Sequence, residues 1–213
     1  AWLAQYEDRV NDMNVFPVPD GDTGTNMLLT MQRAYRDVQA LDDNASALQV
    51  VQAAAHGGWV GSRGNSGTIL GMLLRGFANT LSEIATDDDG ALDVQHIQRA
   101  MQAAVDFAYN EISHVMEPIE GTILTVARLT AEAATGLQTE QHGAFLRECV
   151  SAAWRAVDDT PNQLETLREA GVVDSGGMGL AYILEGMLRA CEGQPISNVR
   201  DAAMQRNGHQ PAQ

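Results

Sequence analysis

Apolar residues recur at helical spacing along almost the whole chain. Leu28, Met31, Tyr35 and Val38 form one stripe; Leu48, Val51 and Ala55 a second; Ile69, Leu70, Leu73, Leu74 and Phe77 a third, continuing through Leu81 and Ile84. Ile97, Met101, Ala104, Val105, Ala108 and Ile112 form another. Ile123, Ala127 and Thr130 continue the pattern more weakly, followed by Phe145, Cys149, Ala152 and Ala156, and then by Leu180, Ile183, Leu184, Met187, Leu188 and Cys191. No segment alternates with the period of a strand, so the expectation is an all-α fold whose stripes face a core. Once the stripes are used in the core, no long apolar surface is left over.

The breaks DDNAS, TDDDG, MEPIEG, GLQTEQHG and DDTPNQ carry helix stops and N-caps. Asp42, Asp43, Asp87, Asp88 and Asp89 read as solvated caps and loops. The predicted helices run from the start to about Met13, then from near Gly24, Ala45, Ser66, Asp93, Gly121, Gln141 and Gly176. A short helix from Pro161 to Ala170 caps the end instead of spanning the domain. Short connections make neighbours antiparallel, which gives an eight-helix up-and-down barrel or bundle over residues 1–193. Residues 194–213 are polar and read as a linker or tail, which suggests further protein beyond. The start, AWLAQYEDRV, lacks a Met and reads as a helix already in progress. It has no basic stretch followed by an apolar one, against a signal peptide.

In an up-and-down arrangement every second helix starts at the same end. Those starts read PVPDGDTGTN, GSRGNSG, PIEGT and VVDSGGMG, each a glycine-containing loop running into a helix. Helix N-termini present free N–H groups and partial positive charge, so four at one rim argue for an anion site. The parity holds only if the Pro161 helix does not span.

Charge sharpens that expectation. The 213 residues carry a net charge of −15, and all 13 basic residues are arginine. Such a surface repels nucleic acid and anionic membranes. Without lysine there is no Walker A loop, protein-kinase lysine or Schiff base. A phosphate ligand must be met by metal ions, backbone N–H groups or a few arginines. Asp20 and Asp22 offer two hard carboxylates to Mg2+, although Asp in a turn is also ordinary turn chemistry. Pro17 and Pro19 stiffen the approach, and Asn14 offers a further oxygen. Asn65, Ser66 and Gly67 can donate to phosphate oxygens, with Arg63 either assisting or plain surface. Glu120, before Gly121 and Thr122, reads as a loop or cap residue. Asp174, Ser175 and Gly176 either contact nucleotide or cap the last helix. The five histidines form no cluster, and there is no Gly-x-Ser-x-Gly motif. Cys149 and Cys191 read as core, consistent with a reducing cytoplasm. No apolar run is long enough to span a bilayer.

Asn14–Met27 resembles the signature of the N-terminal domain of bacterial fatty acid kinase. Gly61–Gly67, Glu120–Leu124 and Val173–Leu180 resemble that family's later motifs, in the same order. The domain is similar to the L subunit of dihydroxyacetone kinase (DhaL), whose fold is an eight-helix barrel with ATP and two magnesium ions at one end. The resemblance implies Asp20, Asp22 and, least securely, Asn14 as metal ligands. It implies Thr23, Gly24, Thr25, Asn26, Asn65, Ser66, Gly67, Gly121, Thr122, Asp174, Ser175 and Gly176 as nucleotide contacts. Ser175 stands where that family often has Ala, and Met178 where it often has a basic residue. The implied chemistry is transfer of the ATP γ-phosphoryl group to a fatty acid carboxylate presented by a DegV-like binding protein, with further domains of the same polypeptide taking part. A dihydroxyacetone kinase subunit and a nucleotide-sensing interaction module without turnover are the alternatives, and a homodimer is compatible with the sequence.

Overall fold

The computed structural model describes residues 1–85 and 92–196. The described residues form ten helices and no strand. The predicted first helix is two short ones, α1 (Trp2–Gln5) and α2 (Glu7–Asp12), broken at Tyr6. There the Tyr6 ring stacks on Tyr182 with centroids 4.0 Å apart. The long helices follow: α3 (Thr23–Gln39), α4 (Ala47–Val60), α5 (Gly64–Ile84), α6 (Val94–Ser113), α7 (Ile123–Thr135) and α8 (His142–Gln163). A short α9 (Glu165–Ala170) precedes α10 (Ser175–Cys191). Each long helix packs on the next, and α10 closes the ring against α1, α2 and α3. With α1 and α2 as one broken rod, the eight rods of the expected barrel are present.

Local chemistry sets the helix starts. Ser46 and Gln49 form a capping box on α4, and Asp93 and His96 form one on α6. Pro161, expected to open the short helix, instead lies in the last turn of α8. Proline has no N–H to donate to the preceding turn. The Thr160 hydroxyl donates to the Val157 carbonyl instead, at 2.7 Å. The same Thr160 oxygen accepts the Asp174 N–H at 2.9 Å, so this adjustment also places the start of α10. The end of α9 turns through Gly171 at φ 68°, the left-handed stop that leaves α9 short of spanning.

The core runs along the barrel axis, with Val10, Met27, Leu70, Val126, Val157 and Ala181 fully or nearly fully buried. It is not completely filled. An apolar cavity of about 170 Å³ is lined by residues that include Leu70, Phe77, Met101, Phe145 and Leu180. The stripes therefore surround a void that their spacing did not reveal. Cys149 is buried, which pushes its thiol up to about 12. Cys191 is exposed, against the expectation that both cysteines are core. The tail lies outside the described residues from 197 on, as do Asp87, Asp88 and Asp89. No helix among the described residues is long and apolar enough to cross a membrane.

Candidate nucleotide site

The four loops do meet at one end. A cavity of about 470 Å³ is lined by Phe16, Pro17 and Val18 before α3, by Asn65 and Ser66 of α5, by Thr122, Ile123 and Leu124 at the start of α7, and by Asp174, Ser175 and Gly176 at the start of α10. Its size suits a small-molecule ligand. The loop after α6 supplies an apolar side through Val115, Met116 and Ile119, together with Ile112 from α6 itself. These three loop residues are among the most exposed large apolar side chains of the molecule.

The helix starts differ in what occupies their N–H groups. At α3 the amides are taken from inside. Asn14 is buried, and its Oδ1 accepts the N–H of Asp22 at 3.2 Å and of Thr23 at 3.3 Å. Its Nδ2 donates to the Val18 carbonyl at 3.1 Å. The structure thus uses Asn14 as an internal brace of the loop rather than presenting its oxygen to a metal. Asn11, which sequence reasoning passed over, accepts the N–H of Gly24 at 2.7 Å and of Thr25 at 3.1 Å. The Thr25 hydroxyl donates to Glu7 at 2.9 Å, and the Ser175 hydroxyl donates to Thr23 Oγ1 at 3.2 Å. Gly24 faces α2 so closely that a Cβ would come within 2.5 Å of the Glu7 carbonyl. The residues Thr23, Gly24 and Thr25 therefore hold the fold together at the rim. Their backbone amides are spent.

At α7 and α10 one carboxylate serves both starts. Asp174 Oδ2 accepts the Gly177 N–H at 2.6 Å, the N-cap bond of α10, and the Ile123 N–H at the start of α7 also bonds to Asp174. Asp174 is almost completely buried. That burial pushes its carboxyl up to about 7, against the pull of those two N–H groups. Gly121, at φ 78°, is buried and donates its N–H to Thr125 Oγ1 at 2.8 Å. Thr122 reaches the cavity, while Gly121 lies behind it.

At α5 no side chain caps the helix. Arg63, at the N-cap position, sends its N–H to Thr30 Oγ1 at 3.2 Å, and Gly67 N bonds to the Arg63 carbonyl at 3.0 Å. The intervening first-turn amides of Gly64, Asn65 and Ser66 have no protein acceptor among the described residues. Gly64 has φ 56°, and a Cβ there would lie 2.4 Å from Asn26 Nδ2. Asn26 thus packs beneath the α5 loop. Gly67 is equally tight, with a Cβ site 2.4 Å from Thr30 Oγ1. Among the described residues α5 is the start that leaves all three first-turn amides without a protein acceptor, while α7 leaves those of Leu124 and Thr125 and α10 those of Ser175 and Gly176. An open first turn is what an anion needs.

Asp20 and Asp22 stand exposed on either side of Gly21, which has φ 67°. The Phe16–Pro17 peptide before them is cis. Among the described residues no group of three or more His, Cys, Asp or Glu is placed to hold a metal. Two carboxylates suit Mg2+, which commonly binds one or two carboxylates and completes its shell with water and substrate phosphates.

Comparison with known proteins agrees with this architecture. Residues 17–189 match the DAK2 domain. An uncharacterised protein of Staphylococcus epidermidis is 42% identical over 197 residues, covering 91% of this chain and 34% of that protein. Protein YloV of Bacillus subtilis is 40% identical over 196 residues, again 91% of this chain and 34% of YloV. The chain spans about a third of the length of these relatives. It belongs to the DAK2-domain family of all-helical, DhaL-like, kinase-related modules, which are in general nucleotide-binding.

Proposed function

We propose that this domain binds Mg-ATP at the rim cavity and takes part in transfer of the γ-phosphoryl group. The observation that carries the reading is the uncapped start of α5 at a cavity whose other side is apolar. Phosphate oxygens suit the first-turn amides at Asn65 and Ser66, and a base suits the apolar side at Ile112, Val115, Met116 and Ile119. Asp20 and Asp22 would hold the metal. Bound Mg2+ supplies the positive charge that a lysine-free chain of net charge −15 otherwise lacks. The chain's own part is positioning. The α5 amides orient the phosphates, the apolar side excludes water from the base, and the rigid rim fixes where an acceptor must approach.

The acceptor we favour is a fatty acid carboxylate presented by a DegV-like protein, on the resemblance of Asn14–Met27, Gly61–Gly67 and Val173–Leu180 to fatty acid kinase. No group for positioning a carboxylate is evident at the rim, and the chain spans only about a third of its relatives. This chain alone should therefore bind Mg-ATP but transfer phosphate to free fatty acid poorly. The test is an acceptor screen of the chain alone, then of the full-length protein with a DegV-like partner. Acyl-phosphate formation only in the complete system is expected. Turnover of dihydroxyacetone would move the assignment to that substrate. Turnover of free fatty acid by the chain alone, at the rate of the complete system, would overturn the division of labour.

A further inference from the structure

Between α6 and α7 the chain crosses the cavity mouth as a strap, Val115–Thr122. Its beginning is tied to α6, where the N–H groups of Val115 and Met116 both donate to the Ile112 carbonyl at 2.9 Å. Its end is held by Glu120, which collects donors from two helices. Tyr109 on α6 donates its hydroxyl to Glu120 Oε1 at 2.9 Å. Thr125 and Arg128 on α7 both donate to Oε2, each at 2.7 Å. Arg128 also donates to the Tyr109 oxygen at 3.4 Å and to Glu132 at 3.0 Å. Thr125 closes the group by accepting the Gly121 N–H. Burial alone would raise the Glu120 carboxyl. The hydrogen bonds from Thr125, Arg128 and Tyr109 outweigh it and hold the group below its ordinary range.

This arrangement is more than a loop needs to end. The Glu120–Arg128 pair is half exposed, and such a pair adds little to global stability. What it fixes is local: the height over the cavity of Val115, Met116 and Ile119, the apolar side chains of the strap that line it. Those side chains have little else to hold them, since Val115 is 80% exposed and Met116 58%.

We propose that Glu120, Arg128 and Tyr109 are positioning residues that set the strap against the base of the bound nucleotide. The clasp tunes affinity for the base and leaves the phosphate contacts untouched. The proposal rests on the reading of the cavity as a nucleotide site and adds to it a specificity device outside the cavity lining.

The experiment is calorimetric titration of the wild-type chain, Glu120→Gln, Tyr109→Phe and the double variant, each with Mg-ATP and with Mg-tripolyphosphate, which has no base. Thermal melts check folding, and Tyr109→Phe removes a single hydroxyl. Glu120→Gln should weaken Mg-ATP about fivefold to tenfold and Tyr109→Phe about threefold, as expected for one or two charge-assisted bonds. The double variant should lose less than the product of the two, because both act through one cluster. Tripolyphosphate binding should stay within about twofold throughout. Equal losses for both ligands, or none for either, would overturn the clasp while leaving the nucleotide reading intact. A wild-type chain that binds neither ligand would overturn that reading and the clasp with it.

Discussion

The starts of α3 and α5 sit at the same rim and look alike in sequence, one reading DGDTGTN and the other SRGNSG. Their chemistry is opposite. At α3 two asparagines from the preceding segment, Asn11 and Asn14, take four backbone N–H groups in succession, from Asp22 to Thr25. At α5 no side chain does so. The first start has exchanged its capacity to bind an anion for rigidity, and it displays Asp20 and Asp22 outward on that rigid base. The second has kept its amides open. A glycine-rich helix start is thus only half of an anion site. The other half is the absence of an internal acceptor.

Closing α5 should have the largest effect. Arg63 has the extended backbone of an N-cap residue, φ −132° and ψ 136°. Arg63→Asp would place a capping carboxylate on the open first turn, as the asparagines do at α3. Mg-ATP affinity should fall by more than about tenfold from occupied amides and repelled phosphates. The helix should gain up to about 1 kcal/mol from its new cap, so melting temperature and affinity move in opposite directions. Parallel losses in titration and thermal melts would count against the open-turn account.

Next come the carboxylates. Asp20→Asn and Asp22→Asn should each weaken metal-dependent ATP binding by about tenfold. Both residues are exposed, so the melting temperature should scarcely move. Unchanged affinity in either variant, or full wild-type affinity in EDTA, would refute the metal assignment.

Removing the α3 brace should act mainly on stability. Asn11→Ala leaves the Gly24 and Thr25 amides without their acceptor and frees the Glu7–Thr25 pair. A loss of about 1–2 kcal/mol follows from the value of a cap. For a chain of this size that lowers the melting temperature by about 2–4 °C per kcal/mol. A variant that melts like wild type would show that the brace is dispensable.

Much of this was legible beforehand. Helical spacing placed every long helix within a few residues, and parity brought the four loops to one end. What spacing could not show was the direction of individual side chains. Asn14 looked like a further oxygen ligand because it stands just before the prolines and the two aspartates, but its oxygen faces inward to two amides. Asn11 carried only a faint signal, a polar amide at the close of a short helix. Arg128 and Tyr109 sit on the two helices that flank the Glu120 loop, and the direction in which their side chains turn back to it is set by the packing of α6 on α7. Pro161 read as a helix start because proline favours that place. The Thr160 hydroxyl, by taking the orphaned carbonyl, let α8 continue through it.

Asp174 gives a smaller, pH-dependent test. Its carboxyl is held at about 7 in the fold by burial, against 3.8 as its ordinary value. The native state therefore keeps a proton there that the unfolded chain has lost. This group's contribution to stability falls as pH rises from about 4 to about 7. Asp174→Asn retains a capping oxygen and removes the titration, so chemical denaturation across that range should show a flatter decline than wild type. An identical slope in both proteins would mean that Asp174 is not held protonated.

The contrast between α3 and α5 is tested most directly by following individual backbone amides while Mg-ADP is added to isotopically labelled protein. The account predicts that the amide resonances of Gly64, Asn65 and Ser66 shift strongly and gain protection from hydrogen exchange. Those of Gly24 and Thr25, already bonded to Asn11, should be protected before nucleotide arrives and change little. The reverse pattern, with Gly24 and Thr25 newly protected and the α5 start unaffected, would contradict the assignment of the phosphates to α5.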